Sequence, residues 1–323
     1  MLANQRADGD GMLTVILVQL ALPLVVLVWL ALWRQPSTTA WTLAVVIAGS
    51  LFAILHLAGL WLVLPWYLPA IYALLAIPAA AVAWRRRHGA VRWPIGAKQW
   101  AGIALRATAA ACMVSVTVDA MLGRRSPNDA VQLAFPLRQG TYLVANGGGV
   151  GLLNAHLMTL TAERFRAYRG QSYGVDVVRV DRVGRRAHGL QPRAVSAYRI
   201  FGDSVFAPCA GRVVQSTDGL ADQPVPNVDR THMAGNHVLL SCGPAWVLLG
   251  HLQQSSVRVV TGDTVRVGTL LGRVGNTGNT GEPHLHIHAQ RPGTDAMPLG
   301  GTPLPIRLDG RYLARNDRIT KGP

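Results

Sequence analysis

Glu282-Pro283-His284-Leu285-His286-Ile287-His288 decides how the C-terminal half of this 323-residue chain folds. Histidines alternate with large apolar residues, which is the two-residue period of a β-strand. The three imidazoles then share one face, and Leu285 and Ile287 share the other. Imidazoles placed this way can bind a metal ion and leave one ring free to move protons. The plainer alternative is a polar strand face. Three histidines delivered by the Gly/Asn-rich turn Gly275-Asn276-Thr277-Gly278-Asn279-Thr280-Gly281 favour metal or acid–base chemistry.

Much of the surrounding sequence has the same texture. Residues 134–144, 173–180, 205–214, 237–241, 246–252 and 257–260 read as strands. Gly262-Asp263-Thr264-Val265-Arg266-Val267-Gly268 reads as a tight hairpin leading into 270–274. No helical period of any length follows residue 170. Residues 123–323 are therefore expected to form one mainly β domain of roughly 200 residues, long enough to bury its own core. Such a hairpin also occurs in lipoyl and biotinyl carriers, which load their cofactor on a hairpin lysine. The only lysines here are Lys98 and Lys321, so a swinging-arm carrier is excluded.

The first 122 residues are of another kind. Half of the chain is hydrophobic and its mean hydropathy is +0.25, an excess that lies almost wholly before residue 122. Runs at 12–33, 41–64, 66–84 and 100–122 are each about long enough to cross a hydrocarbon layer of roughly 30 Å. The last is the weakest, because it contains Arg106 and Asp119, and an amphipathic surface helix is its alternative. A cleaved signal peptide fits poorly. Arg85, Arg86, Arg87, Arg92 and Lys98 fall between the third and fourth runs and should keep that loop in the cytoplasm. The N-terminus, with Arg6 against Asp8 and Asp10, then lies outside, and four spans return the β domain to the outside. With only His56, Arg106 and Asp119 ionisable within the runs, an anchor is expected rather than a transport path.

The net charge is +15, and it is spread over both halves. The first 122 residues hold 8 of the 31 Lys/Arg and 3 of the 16 Asp/Glu, leaving 23 and 13, a net +10, for the rest. A basic surface suits acidic partners such as anionic lipid or an acidic wall polymer. No nucleic-acid motif and no interleaved stacking aromatics are present, so nucleic acid is not expected. Cys112 lies in an apolar run and reads as a small hydrophobe. Cys209 and Cys242 fall in strand-like segments and can pair if the domain faces an oxidising space.

Ala207-Pro208-Cys209-Ala210-Gly211-Arg212-Val213, Gly235-Asn236-His237-Val238, Gly250-His251-Leu252, the Gly262–Gly268 hairpin and Pro283-His284-Leu285-His286 occur in that order. Together they resemble the successive motifs of the lysostaphin/LytM-type zinc peptidases, over about residues 140–290. The resemblance implies an antiparallel β-sheet groove of the duplicated, barrel-sandwich-like kind. It also implies one Zn²⁺ and cleavage of peptide cross-links in peptidoglycan. Carried over by position, Asp176 in Tyr173-Gly174-Val175-Asp176 would be the carboxylate ligand and His286 a histidine ligand. His284 would be the general base, and His251 would stabilise the oxyanion. One position departs. The family's first ligand is a histidine four residues before the aspartate, and Ser172 stands there. His156, in Asn154-Ala155-His156, resembles an element that some membrane-linked relatives carry upstream and is the expected third ligand. His237 is expected to be structural, Glu282 a turn residue, and His288 has no firm role. The expectation is a multi-pass, membrane-anchored zinc metallopeptidase with an extracytoplasmic catalytic domain. The alternative, favoured by Ser172, is a degenerate module that binds cell wall or regulates another hydrolase.

Overall fold

The computed structural model describes residues 13–87, 91–293 and 298–322. Arg6, Asp8, Asp10 and Met12, used above for the orientation and the first span, lie outside the described residues. The chain divides into two compact units, Met1–Met121 and Leu122–Pro323.

The first unit has four helices long and apolar enough to cross a membrane: α1 (Leu13–Leu32), α2 (Thr38–Ala58), α3 (Leu68–Arg86) and α4 (Ala97–Leu122). Each boundary has a local cause. Ser37 caps α2 by accepting the Ala40 N–H at 3.1 Å, the usual work of an N-cap hydroxyl. The apolar run continues to Leu64, but α2 stops at Ala58, because Trp61 turns back and donates its indole N–H to the Leu55 carbonyl at 2.7 Å. Ala40, Ala44 and Ala48 repeat every fourth residue on α2 and are fully buried, the small-residue stripe that lets helices approach closely. Val25, Leu74, Ile77 and Leu105 point outward and are exposed.

The second unit contains thirteen strands among the described residues. They are β1 (Val131–Leu133), β2 (Gly140–Asn146), β3 (Val175–Val180), β4 (Ser204–Phe206), β5 (Gly211–Thr217), β6 (Asn236–Cys242) and β7 (Ala245–Leu252). After these come β8 (Thr264–Val265), β9 (Leu270–Arg273), β10 (Leu285–Gln290), β11 (Pro303–Leu304), β12 (Ile306–Leu308) and β13 (Arg318–Lys321). Nine form one antiparallel sheet in the order β13-β2-β3-β10-β7-β6-β5-β8, with β11 also on β10. Helical structure is confined to short turns, chiefly Ala155–Leu157, Met158–Thr161 and Glu163–Gln171 between β2 and β3.

Leu285 and Ile287 of β10 are fully buried in the main core with Val175, Val177, Leu240 and Leu249, so the histidines occupy the opposite face. Several expected strands are shorter than their apolar runs. The 134–144 run begins its strand only at Gly140, past Pro136, and 205–214 splits into β4 and β5 around Pro208, because proline lacks the N–H a ladder needs. Residues 257–260 form no strand. The expected Gly262–Gly268 hairpin is not one: β8 pairs with β5, while β9 pairs with β4. Cys209 and Cys242 form a disulfide, with Cα atoms 5.9 Å apart.

Candidate metal and catalytic centre

Strand register brings the first pair of groups together. Asp176 of β3 lies directly opposite His286 of β10, where cross-strand side chains on one face must touch. His286 Nδ1 is 2.8 Å from Asp176 Oδ1. His156 arrives from the excursion between β2 and β3. Asn154 positions it: its side-chain oxygen accepts the His156 N–H at 3.1 Å, and its amide donates to the Gly148 and Gly174 carbonyls. His156 Nε2 then lies 2.9 Å from Asp176 Oδ2. Gly174 is where the two imidazoles crowd the chain. A Cβ there would meet His286 Cε1 at 2.7 Å and His156 Cδ2 at 3.2 Å.

One ligand atom from each of His156, Asp176 and His286 falls within 4.8 Å of the others. Two imidazoles and a carboxylate are a donor set for Zn²⁺ with a position left open. Ser172, at the family's usual ligand position, is fully buried and otherwise engaged. Its one hydroxyl proton is shared between the Arg169 carbonyl at 2.6 Å and Thr159 Oγ1 at 2.9 Å, while Thr159 Oγ1 donates to the His156 carbonyl at 2.8 Å. The serine therefore braces the segment that carries His156.

His251 reaches the same face by a break in strand alternation. Gly250 lies opposite His286, so a regular strand would send residue 251 through to the core side. The β6–β7 register shifts here, and His251 adopts φ 61°. Bulges re-aim side chains in this way, and non-glycine residues in the left-handed region cluster at functional sites. The His251 ring stands 4.8 Å from the His284 ring and 5.9 Å from that of His286, centroid to centroid.

Backbone carbonyls fix the tautomers. A carbonyl only accepts, so His251 Nδ1, 2.8 Å from the Thr277 oxygen, carries its proton. His284 Nδ1 does the same toward the Glu282 oxygen at 2.9 Å. The Nε2 of His284 stands 3.6 Å from Asp176 Oδ1. Burial, together with the neighbouring His284 and His286, holds the His251 pKa well below the ordinary histidine value. Burial also lowers His286. At His156 burial acts in the same direction, but the charge and hydrogen bond of Asp176 outweigh it and leave its pKa raised. Burial alone would raise Asp176; the surrounding histidines overcome that and hold it well below the carboxylate range.

Four supporting contacts carry no sequence motif. Asn146 donates to Asp176 Oδ2 at 2.9 Å. His288 Nδ1 lies 2.9 Å from His286 Nε2, the kind of second bond that sets which nitrogen of a ligating imidazole is free. Thr280 Oγ1 contacts His284 Nδ1 at 3.1 Å. Glu282 is more than a turn residue: Arg186 holds both its carboxylate oxygens through Nε and Nη2 at 2.7–2.9 Å, and the side chain of Arg186 is 5% exposed. That pair anchors the residue whose carbonyl orients His284. His237 stands on the same face but belongs to none of these contacts.

Comparison with known proteins finds a family match for part of the chain. The sequence profile described as Peptidase family M23 matches residues 195–298. No curated protein matches the chain. Among solved structures, a zinc-containing peptidase from Vibrio cholerae is 20% identical, with a TM-score of 0.24 over 36% of this chain and 26% of its own. The catalytic domain of lysostaphin from Staphylococcus simulans is 18% identical, with a TM-score of 0.25 over 51% and 84%. Helicobacter pylori Csd3 is 16% identical, with a TM-score of 0.29 over 59% and 35%. The chain thus spans about a quarter of the first of these proteins. The family match contains His251, His284 and His286; His156 and Asp176 precede it and join it through the pairing of β3 with β10. The C-terminal unit of this chain holds a domain of peptidase family M23.

Proposed function

We propose that the protein is a membrane-anchored zinc metallopeptidase that hydrolyses peptide bonds in peptidoglycan cross-links. The observation that carries this reading is the convergence of His156, Asp176, His286, His251 and His284 on one face of the sheet. Zn²⁺ held by His156, Asp176 and His286 would supply a Lewis acid that polarises the scissile carbonyl and acidifies the attacking water. His284 Nε2 accepts the proton of that water, its ring held in the right tautomer by the Glu282 carbonyl. His251 Nε2 is likewise an acceptor, and it orients the same water through its second O–H. Only once His251 has gained a proton can it donate to the oxyanion. A net +10 on the C-terminal 201 residues favours capture of an acidic wall polymer.

Four apolar helices supply the anchor. The Arg-rich stretch before α4 favours a cytoplasmic position for that loop and an outside position for the peptidase domain. The Cys209–Cys242 disulfide supports an oxidising compartment.

The test is the zinc content of the purified full chain, read beside a peptidoglycan digest. Wild type is expected to hold one zinc per chain and to release peptide fragments. His156→Ala is expected to lose the metal, and His284→Ala to keep it without cleaving. Zinc without cleavage in wild type would establish the second reading, a binding or regulatory module, which Ser172 at the usual ligand position favours. Neither zinc nor cleavage would sink the first.

A further inference from the structure

A groove of about 670 Å³ runs along the helical unit between α2 and α3. Small residues leave it open: Gly49 of α2 and Ala76 and Ala80 of α3 line it. A Cβ built on Gly49 would meet nothing within 4 Å. Gly49 therefore is not there to let two helices touch, and its missing side chain deepens the groove. One end carries aromatic rings of the kind that sit at a membrane–water interface. Trp41 donates its indole N–H to the Ala80 carbonyl at 3.1 Å, and its ring stands edge-on to Trp84, centroids 4.8 Å apart. From Trp41 to Gly49 is about 12 Å along α2, against about 15 Å for the hydrocarbon depth of one leaflet.

The same end is cationic and lacks a counter-charge from its own unit. Arg85 lines the groove, is exposed, and makes no hydrogen bond or ion pair among the described residues. Arg86 donates to the Leu32 carbonyl at the end of α1 at 3.3 Å, and the Arg87 guanidinium lies over the Trp84 ring, 3.3 Å from its centroid. Arg34 and Arg92 fall in the connections at this end, and Lys98 in the first turn of α4. The unit's carboxylates are Asp8, Asp10 and Asp119. Asp119 lies in the last turn of α4, about 30 Å along that helix from Lys98. Asp8 and Asp10 precede α1 in the sequence, whereas it is the far end of α1, at Leu32, that meets Arg86. Residues 88–90, His-Gly-Ala, add no acid.

We propose that this groove binds an anionic phospholipid, one acyl chain lying along Gly49 and Ile77 and the phosphate meeting Arg85 at the rim. The proposal rests on the membrane-anchor reading above. The chemistry selects the occupant. A guanidinium offers parallel N–H donors that match phosphate oxygens, and basic pockets between membrane helices collect anionic headgroups. A zwitterionic phospholipid brings the same chain but sets its own cation against the arginines. A second copy of the chain, inserted in the same direction, could fill the apolar part. It would bring its own arginines to the same depth and leave the charge unanswered.

The experiment uses the full chain purified in a neutral detergent, with phosphatidylglycerol and phosphatidylcholine that carry the same diazirine-bearing acyl chain. After photolysis, mass spectrometry locates the labelled peptides. In wild type, phosphatidylglycerol is expected to label the segments around Gly49 and Ile77 at least about tenfold more than phosphatidylcholine does. Arg85→Gln, an exposed substitution, is expected to cut that ratio about fivefold, the worth of one arginine beside an anionic headgroup. Gly49→Leu, whose side chain enters open space, is expected to abolish labelling of the groove, while the outward face of α1 around Val25 still labels and so reports an intact fold. A wild-type ratio near one, a ratio unchanged in Arg85→Gln, or groove labelling that survives Gly49→Leu would overturn the proposal and leave the groove to bulk lipid. An unlabelled groove in a chain that runs as a dimer would overturn it in favour of a second copy. The anchor reading is tested apart from this, by alkaline carbonate extraction of membranes. A chain released into the wash sinks that reading, whereas a chain that stays behind without lipid preference sinks only the proposal.

Discussion

The two units of this chain solve burial in opposite ways. In the helical unit the outward residues are large and apolar, Ile77 and Leu105 among them, and the buried stripe of α2 is alanine. In the sheet unit Leu285, Ile287 and Leu249 are sealed inside, and buried polar groups such as His251, His286 and His288 lie in or beside one constellation. The same hydrophobic effect accounts for both if the helices face hydrocarbon and the sheet faces water. The comparison also teaches where chemistry can reside. Alanine against alanine packs helices but offers no reacting group, whereas the sheet excludes water around rings whose lone pairs are already aimed.

The sharpest way to test that division is to remove one aimed lone pair. His284→Ala is expected to lower kcat/KM for wall peptides by about 10²–10⁴-fold with zinc retained, as loss of a general base does. Steady-state kinetics on metal-loaded protein check it. Next comes the buried ion pair behind that ring. Arg186→Met leaves Glu282 charged and alone, and about 3–5 kcal/mol of stability should go with it. Adding Glu282→Leu should return most of that loss, and denaturant titration of the two variants measures the difference.

A third test exchanges the environments. Ile77→Arg, at the centre of α3, should cost about 2.5–3.5 kcal/mol of membrane insertion. Val267→Arg, equally apolar and 59% exposed on the sheet unit, should change stability by no more than about 0.5 kcal/mol. Equal, small effects at both positions would undo the assignment of two solvents.

The smallest effect is on pH. His237, His251 and His288 have folded pKa values below that of a free histidine, burial being the first cause in each. The unfolded chain therefore binds more protons, and zinc-free protein should lose stability as pH falls below about 6.5. His156, raised by Asp176, acts in the other sense: its contribution is complete below about 6.5 and fades as pH rises through its folded value. Denaturation midpoints at about pH 7.5 and about pH 5.5 should show the first trend prevailing.

The sequence carried a good deal of this, unevenly. Alternation at 284–288 was enough to assign a strand and its two faces, because period two admits no other arrangement of those side chains. Apolar length located the helices but not their ends. The 41–64 run gives no sign that Trp61 folds back on Leu55, since apolar residues serve equally in a helix and in the turn that stops it. Register was out of reach. That Asp176 faces His286 depends on how β3 slides along β10, and nothing in either segment marks the pairing. The Gly262–Gly268 stretch has the composition of a hairpin, yet β8 within it pairs with β5, and β9, which follows it, pairs with β4. The left-handed backbone at His251 had no signal either. Histidine tolerates that region without advertising it, and its effect, a ring turned to the reactive face, exists only in three dimensions.

His156 and Ser172 lie at opposite ends of one excursion between β2 and β3, joined through Thr159. If His156 is a ligand, this segment brings one of three metal bonds, and the β-strands bring the other two. Metal occupancy and the docking of the segment are then linked by mass action: anything that loosens residues 155–172 weakens metal binding by the factor by which bound metal holds them in place. The hydroxyl at residue 172 would thus act on affinity at a distance, as a term in the folding equilibrium of its own loop.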